Sequence, residues 1–122
     1  MFEGLRTVIY RVPDLARAKA WYAAAFGVAP YFDEPFYVGF DIGGYELGLL
    51  PDESGLRVGN NVLTYWGVPA IGLAYERLIQ HGAVPDEPIK DVGEGIKVAT
   101  VADPFGNIIG LLENPHFRLP AA

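Results

Sequence analysis

Apolar and polar residues alternate from Leu5 to Val12, with Thr7, Ile9 and Arg11 on one side and Val8, Tyr10 and Val12 on the other. A period of two in residues that favour extended backbone predicts a strand. The period then changes: Leu15, Ala18, Trp21, Tyr22, Ala25 and Phe26 recur at three- and four-residue spacing, the stripe of an amphipathic helix over Leu15 to Phe26. Asp14 is placed to cap its first turn and Gly27 to stop it, so Trp21, Tyr22 and Phe26 are expected to pack beneath a sheet. Phe36 to Ile42 and Tyr45 to Leu50 predict two strands joined at Gly43-Gly44, a hairpin turn.

After a polar, aperiodic stretch from Pro51 to Asn61, strand character returns over Val62 to Val68. A second helix is predicted over Ile71 to His81, with Ile71, Ala74, Leu78 and either Tyr75 or Ile79 inward, stopped by Gly82. Pro85 to Glu94 reads as a loop. Ile96 to Ala102 and Asn107 to Leu112 form a closing hairpin around Asp103-Pro104-Phe105-Gly106, and Glu113 to Ala122 reads as irregular.

These elements occur twice. Val12-Pro13 and its helix ending in Gly27-Val28-Ala29-Pro30 are echoed by Val68-Pro69 and its helix ending in Gly82-Ala83-Val84-Pro85. Asp41-Ile42-Gly43-Gly44 before a strand through Gly48 is echoed by Asp103-Pro104-Phe105-Gly106-Asn107 before a strand through Gly110. Self-similarity at this scale means two half-units of one architecture, with a ligand site expected where the copies face each other. The 122 residues are read as a single domain: a first module over about 1–51, a linker over about 52–61, a second module over about 62–114 and a tail over 115–122.

The order and its punctuation resemble the vicinal oxygen chelate superfamily, which includes glyoxalase I, extradiol dioxygenases and bleomycin-binding resistance proteins. The carrying residues are Arg11-Val12-Pro13-Asp14-Leu15, Ala24-Ala25-Phe26-Gly27, Gly67-Val68-Pro69, Glu76-Arg77-Leu78, Gly82-Ala83 and above all Asp103-Pro104-Phe105-Gly106-Asn107. The resemblance implies an α+β fold of two βαβββ-type modules, with concave mixed sheets and helices on their outer faces. It also implies, for members that are enzymes, a divalent metal held by His, Glu or Gln from the first and last strands of a module. Here those positions fall on Thr7 and Leu63, and on Gly48 and Gly110. None offers an imidazole or carboxylate, so no metal and no other cofactor are expected.

A metal would have to be held elsewhere, by Glu46, Glu113 or His116. The other histidine, His81, ends a helix, where it suits the dipole. The strand period places Thr7, Ile9, Glu46, Gly48, Leu63, Tyr65, Ile108, Gly110 and Leu112 on the concave faces, with Arg11 near the rim. Phe36, Tyr37, Phe40 and Trp66 lie close in sequence. Such a lining, apolar and aromatic with a few polar points, is the character of a small-molecule pocket. Glu46 among aromatic rings would suit a cationic or amine ligand, and it is the one candidate for a general base. The two mid-strand glycines either keep room open for a ligand or admit a close approach of other groups.

Net charge is −6 and the nine Lys and Arg are scattered, which argues against nucleic acid. No apolar run reaches the roughly 18 residues of a membrane span. With no cysteine and no leader pattern at Met1-Phe2-Glu3-Gly4, a cytoplasmic protein is expected. The leading expectation is therefore a metal-free homodimer that binds a small, partly aromatic organic molecule in a cleft, cationic if Glu46 faces it, as a drug-sequestering resistance protein does. The alternative is a lyase, isomerase or dioxygenase of the same superfamily, using a metal or general base at non-standard positions.

Overall fold

A computed structural model describes residues 1, 3, 5–52 and 62–118; the predicted linker after Asp52 and the last residues of the predicted tail lie outside them. The chain forms two compact units, Met1–Val58 and Gly59–Ala122.

In the first unit, strand β1 (Thr7–Val12) leads into helix α1 (Leu15–Phe26), followed by β2 (Phe32–Glu34), β3 (Tyr37–Ile42) and β4 (Tyr45–Pro51). The sheet order is β1-β4-β3-β2. β1 runs parallel to β4 and the other pairs are antiparallel, so the sheet is mixed. The predicted punctuation holds. Asp14 accepts a hydrogen bond from the Arg17 backbone N–H at 3.1 Å, and Gly27 ends α1 at φ 69°, in the left-handed region that a Cβ penalises. Ala18, Tyr22 and Ala25 of α1 are buried together with Tyr10, Val12, Val38, Phe40, Leu47 and Leu49 from the sheet. Tyr22 stacks on Tyr10 with ring centroids 5.8 Å apart and meets Trp21 edge-on at 4.8 Å. Full burial of each large side chain contributes about 1.5–3 kcal/mol, which makes this layer the main source of the unit's stability.

The second unit repeats the plan with β5 (Tyr65–Gly67), α2 (Ile71–Gln80), β6 (Val84–Pro85), β7 (Lys90–Gly93), β8 (Ile96–Ala102) and β9 (Ile108–Glu113). β5 is parallel to β9, β8 is antiparallel to β9, and both β6 and β7 pair with β8. Its core is Ile71, Leu78, Ala83, Ala99, Val101, Ile109 and Leu111.

Three expectations about elements are corrected. β2 and β6 were not predicted, because strands of three and two residues are too short to show a period. The loop predicted over 85–94 contains β7, which pairs with β8 through a register shift at Asp91/Gly93 that interrupts alternation. The strand predicted from Val62 begins at Tyr65: the Gly110 N–H donates to the Thr64 carbonyl at 2.9 Å, and the ladder to β9 runs onward from there. Leu63 therefore precedes the strand and is exposed.

Asp103 shows why the closing turn has its sequence. Its buried carboxylate accepts from the backbone N–H groups of Phe105 and Asn107, each at 2.8 Å, and from Asn107 Nδ2 at 3.1 Å, while Gly106 takes φ 93°. The motif builds a turn and leaves no catalytic acid. Asp41 serves the first copy similarly, accepting from the Gly44 N–H at 2.8 Å.

Candidate functional site

Each helix covers one face of its sheet. On the first sheet, Val8, Tyr10 and Val12 of β1 turn toward α1, as do Val38 and Phe40 of β3 and Leu47 and Leu49 of β4. Alternation assigns the opposite, open face to Thr7, Ile9 and Arg11, to Glu46, Gly48 and Leu50, and to Tyr37, Gly39 and Asp41. Register then arranges them in rows. Ile9, Gly48, Gly39 and Phe32 lie side by side across the four strands, and Thr7, Glu46 and Asp41 form the next row. The sequence-predicted residues of this unit are thus brought onto one surface.

The two glycines in the middle of the first row are roofed by tyrosine rings. Tyr37 extends over both: a Cβ on Gly39 would stand 3.4 Å from its Cε2, and a Cβ on Gly48 would strike its Cζ at 2.7 Å and its hydroxyl closer still. Tyr31 is held beside Gly39 by a backbone bond from its N–H to the Gly39 carbonyl at 3.0 Å, which puts its ring 3.3 Å from the same hypothetical Cβ. The space that a mid-strand glycine leaves is filled here by aromatic rings, so Gly48 serves close approach and not a void.

Both hydroxyls converge on one carboxylate. Tyr31 Oη donates to Glu46 Oε1 and Tyr37 Oη donates to Oε2. Burial raises the Tyr37 pKa above the ordinary tyrosine value, so the ring keeps its proton and remains a donor. Phe32 stands 6.0 Å from Tyr37 and 6.1 Å from Phe36, forming an aromatic edge to the patch. Glu46 was a candidate from sequence. Tyr31 and Phe32 were missed because they sit at the unpredicted β2, and Tyr37 was noted without an assigned face.

The second open face differs. Tyr65 and Gly67 of β5, Ile108, Gly110 and Leu112 of β9, and Val98 and Thr100 of β8 share it. Gly110 is crowded as Gly48 is: a Cβ there would lie 2.5 Å from the Thr64 carbonyl oxygen and 2.7 Å from Tyr65 Cδ1. At the position equivalent to Glu46 stands Ile108. Thr100 Oγ1 donates to Asp86 Oδ2 at 2.8 Å and accepts from the Glu87 N–H at 3.0 Å, which ties it to the neighbouring loop. The carboxylate–tyrosine cluster belongs to the first unit.

The donor set does not fit a divalent metal. Thr7 lies opposite Glu46, and Leu63 is aliphatic. Gly48 and Gly110 carry no side chain, and the space one would need is taken by Tyr37 at the first and by the Thr64 carbonyl and Tyr65 at the second. Among the described residues no three His, Cys, Asp or Glu side chains cluster in a way that could hold an ion. The substitutes are occupied: Glu113 Oε1 accepts the Ile71 N–H at 2.9 Å, and His116 Nε2 bonds the Glu94 carbonyl at 2.9 Å. A separate hollow of about 350 Å³ lies on the helix side, between α1 and β2, where Lys19 and Asp33 pair at 3.0 Å and cancel each other's charge. Among the described residues no helix is long and apolar enough to cross a membrane.

Comparison with known proteins agrees with this fold. The family model of the Glyoxalase/Bleomycin resistance protein/Dioxygenase superfamily matches residues 4–111. A glyoxalase-related enzyme from Fulvimarina pelagi superposes with a TM-score of 0.78 at 23% identity, over 98% of this chain and 94% of that one. A glyoxalase/bleomycin resistance protein/dioxygenase family enzyme from Burkholderia phytofirmans PsJN gives 0.76 at 18%, covering 88% and 95%. TioX from Micromonospora sp. ML1 gives 0.70 at 18%, covering 90% and 98%. At these identities the likeness is one of fold. No curated protein matches the chain. With a family match over nearly its whole length and the fold to accompany it, the chain belongs to the Glyoxalase/Bleomycin resistance protein/Dioxygenase superfamily.

Proposed function

We propose that this protein is a metal-free binding member of its superfamily, which takes up a small, partly aromatic organic molecule on its open sheet faces and returns it unchanged, as a drug-sequestering protein does. The observation that carries the reading is the first unit's open face. At Gly48, where the resemblance would place a metal donor, and at its cross-strand neighbour Gly39, tyrosine rings cover the sheet, and Phe32 and Phe36 extend the aromatic surface. Rings of this kind supply large contact area at low entropic cost, and the few polar atoms among them set orientation. Thr7, Ile9 and Arg11 border the patch in this reading. Tyr65, Ile108, Leu112 and the exposed Leu63 contribute a second, apolar lining. The protein works as a homodimer, in which a partner covers exposed apolar side chains outside the tyrosine floor, such as Phe36.

The test is a thermal melt against a panel of drug-sized aromatic molecules, metal-free bleomycin among them, with mass analysis of the recovered compound. The expected result is a rise in Tm with at least one of them, which is then recovered intact. Conversion of a compound, abolished by a chelator, would overturn the proposal in favour of a metal enzyme.

A further inference from the structure

The Glu46 carboxylate has no Lys or Arg side chain paired with it among the described residues. Its hydrogen-bond partners there are two phenol hydroxyls, and the ion pairs Arg6–Glu3 and Lys19–Asp33 lie elsewhere. A carboxylate offers about four acceptor positions, and two hydroxyl donors leave the remainder open. The other acid of that row, Asp41, is engaged by the Gly44 N–H in the hairpin turn. The face therefore carries two acids, of which Glu46 is the one held among the rings.

The surface beside Glu46 is aromatic. Tyr37 can cover both Gly39 and Gly48 only by lying along the sheet, and Tyr31 lies next to it on Gly39 while remaining 63% exposed. Their π-faces carry negative potential outward, as the carboxylate does. Phe36, 64% exposed, stands T-shaped to Phe32 at one end, an edge and not a lid. Rings on one side make a floor, which suits a planar ion. A tetrahedral ammonium would need a cage to meet several faces at once.

We propose that the floor of Tyr31 and Tyr37 beside Glu46 is a subsite for a planar, delocalised organic cation, such as an N-alkylated heteroaromatic ring, that stacks on the tyrosines and neutralises the carboxylate. This rests on the open-face binding proposed above and adds the ligand's charge and shape. The two hydroxyls hold the carboxylate at the ends of the rings, so one flat molecule stacked on a ring reaches it for ion pairing.

Calorimetric titration at neutral pH and low salt, with N-methylquinolinium, neutral quinoline and tetramethylammonium, tests it. The expected result is that N-methylquinolinium binds about tenfold more tightly than quinoline, and tetramethylammonium more weakly than N-methylquinolinium. Glu46→Gln is expected to erase the preference for charge while quinoline affinity stays. Tyr31→Ala, at an exposed position whose loss the fold tolerates, is expected to weaken both aromatic probes. Equal affinity for quinoline and N-methylquinolinium would overturn this inference and leave the open-face reading standing. Equal affinity for the two cations would overturn its planar part. Failure of both aromatic probes to bind at millimolar concentration would overturn the inference and the open-face reading together.

Discussion

Gly48 and Gly110 occupy equivalent places in the two copies, yet a side chain at each would meet a different obstacle. At Gly48 the nearest atoms are the far end of Tyr37, which can swing aside at the expense of its bond to Glu46. At Gly110 the nearest atom is the Thr64 carbonyl oxygen, which also accepts the Gly110 N–H and cannot retreat without breaking the β5–β9 ladder. Replacing glycine in a strand otherwise gains roughly 0.4–1 kcal/mol. Gly48→Ala is therefore expected to be near neutral in a chemical melt, and Gly110→Ala to lose about 1–3 kcal/mol. A Gly110→Ala protein as stable as the parent would contradict this crowding. Tyr37 supplies a second test. Because burial raises its pKa, the folded state holds this proton more tightly than the unfolded chain. The stability it contributes is complete below the ordinary tyrosine value and declines as pH rises through and past it. Between about pH 9 and about pH 11 the parent should lose more Tm than Tyr37→Phe, and parallel curves would show that Tyr37 is not coupled to folding.

At the level of elements, α2 shows how a helix lacking a local cap is satisfied. Ala70 precedes it and makes no side-chain cap bond; Glu113, at the end of β9, reaches across to the Ile71 N–H instead. Glu113→Ala should cost about 1 kcal/mol and Glu113→Gln less, since an amide oxygen still accepts. Equal stability of both variants and the parent in urea melts would remove Glu113 from that role. This contact spans from the last strand to the second helix and has no local sequence signature, which is why Glu113 could be read from sequence as a stray ligand. Elements with long periodic patterns were legible: α1 with its Asp14 and Gly27 ends, and the strand pairs closing each copy. β2 and β7 were not, because one has three residues and the other slips register against β8. The aromatic half of the candidate site went with β2. Strand parity placed Glu46 and Gly48 on a shared face, whereas Tyr31 reaches that face only through a backbone bond to Gly39.

For the whole molecule, repetition in the sequence carries over into two units of the same plan, and divergence between them concentrates polar chemistry in the first. Glu46 has Ile108 as its counterpart, and Tyr37 has Val98. In the subsite proposed above, the net charge of −6 adds a general attraction for an organic cation. Light scattering at micromolar concentration is expected to give twice the 13.3 kDa chain mass, and a persistent monomer would remove partner cover from the account. The central claim is that binding here proceeds without a metal, because Thr7, Leu63, Gly48 and Gly110 supply no ligand chemistry. Elemental analysis of protein purified without chelators tests that most directly. The account predicts far less than one equivalent of Fe, Mn, Ni or Zn per chain; a full equivalent of any of them, lost together with ligand binding on chelation, would contradict it.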